Sequence, residues 1–216
     1  MAARKPLTED QLAKVLAVLP QCSRRDACLV RVGLNTGFRI HELLSLTVGQ
    51  VWDGAHVRNR ITITRRLLKG GHGVHRRSVT SRTVPLNAAA RDAIARYLEE
   101  RWYCQKAKPT HPLFLSRQLG VALSSWQANR IVKAVIARAG LAGAGPWGTH
   151  TLRKSFCRMV YKNSGHDIEL CRVAMAHQSI ATTQRYLSAT QDEADAVILS
   201  IGTTNNLNAP FQHHIA

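Results

Sequence analysis

Over the first 46 residues the apolar positions recur at helical spacing, and the breaks between runs carry residues that cap or end helices. Leu12, Val15, Leu16 and Leu19 fall on one face, and Thr8 with Gln11 three residues later forms the capping-box pattern that opens such a helix. A second helix starts after Ser23, turns Ala27, Val30 and Leu34 inward, and stops at Thr36-Gly37, where glycine suits a left-handed helix end. A shorter helix from Arg39 to Leu46 then buries Leu43, Leu44 and Leu46.

Between residues 51 and 86 the period changes from helical to two-residue alternation. Ile61–Thr64 and Thr83–Leu86 read as strands around a Gly-rich middle, giving a small antiparallel sheet. Asn87 caps a long helix through Ala93, Ile94, Tyr97 and Leu98, with its charges on the other face. Further helices are expected over 124–139, ended by Gly140, and over 150–163, 167–176, 179–188 and 192–200, before a polar tail from Gly202. No repeat, low-complexity tract or Pro/Gly/Ser-rich linker divides the chain. The fold class is mainly α with a small antiparallel β-sheet (α+β), in one domain.

Charge narrows the partner. Thirty Lys and Arg against thirteen Asp and Glu leave a formal charge of +17 on 216 residues, which points to a polyanion, nucleic acid above all. An anionic membrane surface or a ribosomal location would use the same asymmetry. Arginine outnumbers lysine 22 to 8, favouring planar, two-pronged contacts to phosphate oxygens. The five cysteines are odd in number and include no Cys-x-x-Cys pair, so neither a disulfide framework nor a zinc site is suggested. No apolar run approaches the roughly 18 to 20 residues that span a bilayer, and no secretory segment follows Met1; a cytosolic location is the expectation.

Three separated segments carry candidate chemistry. A His-x-x-Arg pair arises by chance about once in a chain of this composition. His150 and Arg153, however, follow Thr149, a candidate N-cap, and so share the first turn of a helix at its positive end, where a phosphate is favoured. Arg39 follows the Thr36-Gly37 break, and Glu42 one turn later either holds it as a clamp or simply pairs with it at the surface. His177 and Tyr186, nine residues apart, are either a cap histidine and a half-buried helical tyrosine or a reactive pair; the polar, cationic run Thr182-Thr183-Gln184-Arg185-Tyr186 favours the second reading.

A phenol whose ordinary pKa is near 10 attacks poorly at neutral pH unless cations and a base stabilise its oxyanion. Arginines and histidines around a phosphodiester supply both, and they offset the extra charge of the pentacoordinate transition state. The leaving oxygen needs a proton, for which Lys69, beside the turn glycines Gly70 and Gly71, is the candidate donor, unless it is only a solvated turn lysine. Arg65, Arg66, Arg76, Arg77 and Arg82 form a basic ribbon suited to a DNA backbone, and Arg185 extends it. His72 and His75 lack a second ligand pair and the glycines lack a nucleotide-loop Lys-Ser/Thr, so no metal and no cofactor are expected.

Taken together, Thr36-Gly37-Phe38-Arg39-Ile40-His41-Glu42-Leu43-Leu44, His150-Thr151-Leu152-Arg153 and the run from His177 to Tyr186 resemble the tyrosine recombinase (phage integrase) family over residues 6–190. The resemblance implies a catalytic domain over that range, an extension over 1–5, a docking helix over 191–201 and a tail over 202–216. It implies a site of Arg39, Lys69, His150, Arg153, His177 and Tyr186. In it Tyr186 attacks the scissile phosphate of double-stranded DNA, Arg39, Arg153 and His177 stabilise the phosphorane, His150 manages the tyrosine proton and Lys69 protonates the leaving oxygen. It also implies self-association on DNA, as a tetrameric synapse, through the C-terminal helix, and residence on the nucleoid.

Two features depart from the pattern. The hairpin bearing Lys69 is longer than the usual compact form. The first helix of catalytic type begins almost at Met1, where family members usually carry a separate helical domain that completes a clamp, so weaker and strongly salt-dependent DNA binding is expected. Alternative readings are a type IB topoisomerase, which shares the chemistry without synapsis, and a non-catalytic DNA-binding accessory protein.

Overall fold

The computed structural model describes residues 4–64, 81–104, 106–117 and 120–187, together with Asp195 and residues 198–200. The chain divides into two compact units, Met1–Tyr186 and Leu187–Ala216.

Helix α1 spans Glu9–Val18 and opens with the expected capping box: Thr8 Oγ1 accepts the Gln11 N–H at 3.3 Å while Gln11 Oε1 accepts the Thr8 N–H at 3.0 Å. Helix α2, Arg24–Thr36, is capped by Ser23 and forms the spine of the first unit. It is apolar on two faces. Leu29 and Val32 enter one core with Ile61, Ile63, Ile94 and Leu98, while Val30 and Leu34 enter a second with Val15, Val132, Ile136 and Leu152. At about 1.5–3 kcal/mol per fully buried aliphatic side chain, this double burial pins the C-terminal end of α2, where the candidate site begins.

Helix α3 covers Ile40–Leu44, and a further turn of helix, α4 at Val48–Val51, follows it without having been expected. Strands β1 (Arg60–Ile63) and β2 (Arg82–Pro85) form a two-stranded antiparallel sheet in which Ile61 faces Val84 and Ile63 faces Arg82. The inward row is therefore Ile61, Ile63, Val84 and Arg82, whereas Thr62 and Thr83 meet on the outer face with their hydroxyls 2.9 Å apart. Helix α5, Ala88–Leu98, is capped by Asn87 and runs into a π-helical stretch, Glu99–Cys104.

Helices α6 (Ser125–Arg138), α7 (Thr149–Asn163), α8 (Ile168–Met175) and α9 (Ile180–Leu187) lie within a residue or two of the expected spans. The cap of α7 is a correction: Gly148, not Thr149, holds that position, and the Thr149 N–H donates to Asn129 Oδ1 at 3.3 Å from inside the first turn. The Gly-rich middle of the hairpin, most of the helix expected over 192–200 and the tail lie outside the described residues. The mainly helical α+β class is the observed one.

Candidate active site

The site is assembled from four chain segments that the two cores hold in place. At the end of α2, Gly37 adopts the left-handed φ of +59° that reverses the chain. Phe38 packs inward, and Arg39 becomes the N-cap of α3. The Glu42 carboxylate then accepts both the Arg39 N–H at 2.8 Å and the Arg39 guanidinium at 2.9 Å. Glu42 is fully buried. Its second cationic neighbour is Arg82, reaching across from β2 with Nη1 3.6 Å from Glu42 Oε2.

Arg82 corrects an expectation. Read from the sequence as part of a DNA-facing ribbon, it sits on the inward row of β2, is 7% exposed, and donates to the Thr36 and Ala174 carbonyls at 3.1 and 2.7 Å. Its guanidinium also lies over the Phe38 ring at 5.1 Å. Those contacts make it a strut between α2, α3 and the end of α8. Burial first, then the charge of Arg153, lowers its pKa to about 10, with Glu42 opposing, so it stays protonated at neutral pH.

Arg153, in the second turn of α7, is 2% exposed. Its Nη1 donates to the Gly37 carbonyl and its Nη2 to the Met175 carbonyl at 2.8 Å, tying the end of α2 to the end of α8. Desolvation and then the neighbouring Arg39 lower its pKa, while Tyr186 and Glu42 raise it, Tyr186 acting by charge and by hydrogen bonding. Three guanidinium groups thus surround one carboxylate, leaving the pocket with two uncompensated positive charges.

Ala176, with a left-handed φ of 49°, ends α8 and turns His177 into the same space, 3% exposed. Nδ1 of His177 pairs with the Thr183 hydroxyl at 3.0 Å. Burial, followed by the charges of Arg153, Arg39, Arg82 and Arg185, drives its pKa down to about 4, so the imidazole is neutral at pH 7. Nε2 of His177 and Nε of Arg153 are buried without a hydrogen-bond partner, two polar atoms of the kind that an anionic ligand satisfies.

Tyr186, half-buried near the end of α9, faces this group. Its ring centroid lies 4.8 Å from that of His177, 5.8 Å from the Arg153 guanidinium carbon and 5.7 Å from the Lys154 ammonium. Lys154 is the residue that sequence reasoning passed over, although it directly follows Arg153 in the His150–Arg153 box. His150 is exposed on the first turn of α7, its pKa lowered by partial desolvation and then by Arg153, Arg4, Lys154 and Arg39. It is the solvent-open histidine of the group. Arg185 is exposed and bonds the Thr182 hydroxyl at 3.4 Å. Lys69, Arg65, Arg66, Arg76 and Arg77 lie outside the described residues, as do His72 and His75.

Comparison with known proteins places the chain in a family. The family model described as "Phage integrase family" matches residues 5–193. The chain belongs to the phage integrase family. Among curated integrase-family relatives, tyrosine recombinase XerD of Corynebacterium glutamicum is 33% identical over 168 residues, covering 78% of this chain and 49% of that protein. The type 1 fimbriae regulatory protein FimE of Escherichia coli is 31% identical over 191 residues, covering 88% of each. The chain thus spans about half the length of the first relative and most of the second.

Solved structures of the integrase fold agree. The crystal structure of XerA recombinase superposes with a TM-score of 0.71 at 22% identity, over 93% of this chain and 66% of that one. The catalytic domain of bacteriophage HP1 integrase gives 0.52 at 22% identity, over 97% of this chain and all of the other.

Proposed function

We propose that this integrase-family protein is a site-specific DNA recombinase that cleaves and rejoins strands through a 3′-phosphotyrosyl intermediate. The reading rests on one observation above all: the Tyr186 ring is held within 6 Å of two cationic side chains and of a neutral, buried histidine with an unpartnered nitrogen. Such a pocket accepts an anion and stabilises further negative charge, which an in-line attack on a phosphodiester requires.

In this scheme the phosphate lies against Arg39, Arg153 and Nε2 of His177. The Tyr186 hydroxyl gives up its proton to His150, and its oxygen attacks phosphorus. The P–O5′ bond breaks, the 5′ oxygen takes a proton from Lys69, and a 5′-hydroxyl from a partner strand later reverses the step. The bond energy stays in the phosphotyrosyl link, so neither ATP nor a metal enters. Glu42 and Arg82 touch no substrate; they fix where Arg39 points.

The partner is double-stranded DNA, in line with the +17 charge and with the XerH recombinase structures, solved bound to its difH substrate. Residues 6–190 are assigned as the catalytic domain and 191–201 as a helix that docks on a neighbouring copy in a tetrameric synapse. Among the described residues no helix is long and apolar enough to cross a membrane, and the nucleoid is the proposed location.

Nicked duplexes from which the short fragment bearing the new 5′-hydroxyl diffuses away test the reading. A protein–DNA adduct stable to denaturant, absent in Tyr186→Phe, is the expected result; tight binding without any adduct overturns it in favour of an accessory role. Product topology on closed circles separates strand exchange from relaxation of the topoisomerase IB kind.

A further inference from the structure

Lys154 is half-buried on α7, one residue beyond Arg153, and among the described residues its ammonium makes no hydrogen bond and no ion pair. A lysine with that freedom ordinarily extends its head group into water. Here the head group instead lies over the face of the Tyr186 ring, 5.7 Å from its centroid. The desolvation that accompanies this position lowers the lysine's pKa, a cost that the electron-rich ring face offsets.

The ring is enclosed from several elements. Arg153 and Lys154 approach it from α7, His177 from the turn after α8, and Arg185 precedes it on α9. Of these, Arg153 is already committed through both terminal nitrogens to the Gly37 and Met175 carbonyls, and His177 is neutral. Arg153 also reaches the phenol by charge and hydrogen bonding, so it divides its charge between phenol and scaffold, whereas Lys154 is the cation over the ring with no other partner among the described residues.

We propose that Lys154 is a positioning residue for the nucleophile: its ammonium fixes the tilt of the Tyr186 ring and stabilises the negative charge that develops on the phenolic oxygen during attack. This inference rests on Tyr186 being the nucleophile. It adds to the family set a residue that touches neither phosphate nor leaving group. A cation at this separation, partly shielded from water, changes the energy of a forming phenolate enough for about a tenfold effect on rate.

Two measurements on the full chain test it. Without DNA, the Lys154 ε-methylene protons should resonate upfield through the ring current, a shift kept in Tyr186→Phe and lost in Tyr186→Ala; no shift in the unmodified protein overturns the proposal. With nicked duplex, single-turnover adduct formation should slow about tenfold in Lys154→Met near pH 7, the deficit shrinking as pH rises, while Lys154→Arg recovers most of the rate. An unchanged rate in Lys154→Met overturns the positioning role and leaves the nucleophile reading intact. A loss that is the same at every pH and not recovered by arginine marks a packing role and also overturns it. If the unmodified protein forms no adduct, the nucleophile reading fails and this inference falls with it.

Discussion

His177 and Tyr186 face each other across a ring separation of 4.8 Å, and the same imidazole is anchored through Nδ1 to Thr183, one turn before the tyrosine. The histidine thus holds the helix that carries the phenol, and its protonation state is coupled to the fold. Its pKa is about 4 in the folded chain against an ordinary value of 6.5, so the unfolded chain binds the proton more readily. Stability from this group is complete above pH 6.5 and is lost as pH falls toward 4. Urea unfolding should show a loss of about 2 kcal/mol between pH 7.5 and pH 5, and His177→Asn should show a smaller one. Equal losses in both proteins would remove His177 as the cause.

Binding of a phosphate should reverse that bias. An anion beside Nε2 offsets the repulsion from Arg153, Arg39, Arg82 and Arg185 that depresses the imidazole. Below neutral pH, DNA binding should therefore be accompanied by proton uptake, visible as buffer-dependent heats in calorimetry. Heats identical in buffers of different ionisation enthalpy at pH 5.5 would count against a phosphate at this nitrogen.

Arg39 and Arg82 share one carboxylate but have opposite exposures, and substitutions should separate them. The Arg39 side chain is 28% exposed and the Arg82 side chain 6%. Arg39→Ala should leave the melting temperature close to that of the unmodified protein and cut adduct formation by about 10²-fold or more. Arg82→Ala leaves the Thr36 and Ala174 carbonyls without their donor and the buried Glu42 carboxylate with Arg39 alone, and should cost on the order of 3 kcal/mol of stability. Glu42→Ala should resemble it. Thermal melts beside adduct assays decide the matter; a stable, fully folded Arg82→Ala would contradict the strut role.

Gly37 is required by its conformation and by its neighbour. A Cβ at its φ of +59° would meet Phe156 Cδ1 at 2.3 Å, whereas at Gly165, with a φ of +68°, nothing lies within 4 Å. Gly165→Ala should cost only backbone strain, about 1–2 kcal/mol, and Gly37→Ala more, on the order of 3 kcal/mol. Because the Gly37 carbonyl receives Arg153, adduct formation should fall further than the unfolding midpoint explains. Equal unfolding costs for the two alanines would show that Phe156 moves aside freely.

Much of this architecture is legible in the chain because several helix caps state themselves, although Gly148 holds the place expected of Thr149. Thr8, Ser23, Asn87 and Ser124 each accept a backbone N–H of the helix that follows. The grouping of Arg39 with Glu42 was equally visible at three-residue spacing. Arg82 was not, since alternation separates two strand faces without saying which one is buried, and a charge on the inward row reads as outward until its partner Glu42 is known to be buried. Lys154 escaped because its contact is with a residue 32 positions later, across α8, and only tertiary packing joins them. The short α4 had a local signature that went unread, the Thr47/Gln50 capping box in which Gln50 Oε1 accepts the Thr47 N–H at 2.9 Å; its packing against the 107–113 loop, where the Val48 and Gly49 N–H groups find the His111 and Pro109 carbonyls, is long-range.

The distribution of charge gives the last prediction. With a formal charge of +17, binding to duplex DNA should be dominated by release of counterions and fall about 10³-fold from about 50 to about 200 mM salt. Arg185, exposed beside the nucleophile, should contribute to that slope: Arg185→Ala should lower it by about one phosphate contact. Among variants that remain folded, Arg82→Lys should leave the slope unchanged, because the side chain is enclosed by Glu42, Thr36 and Ala174 and has no path to a phosphate. Anisotropy titrations of a labelled duplex at several salt concentrations give both slopes. A flat salt response, or a slope that falls in Arg82→Lys and not in Arg185→Ala, would invert the assignment of which arginine meets the DNA.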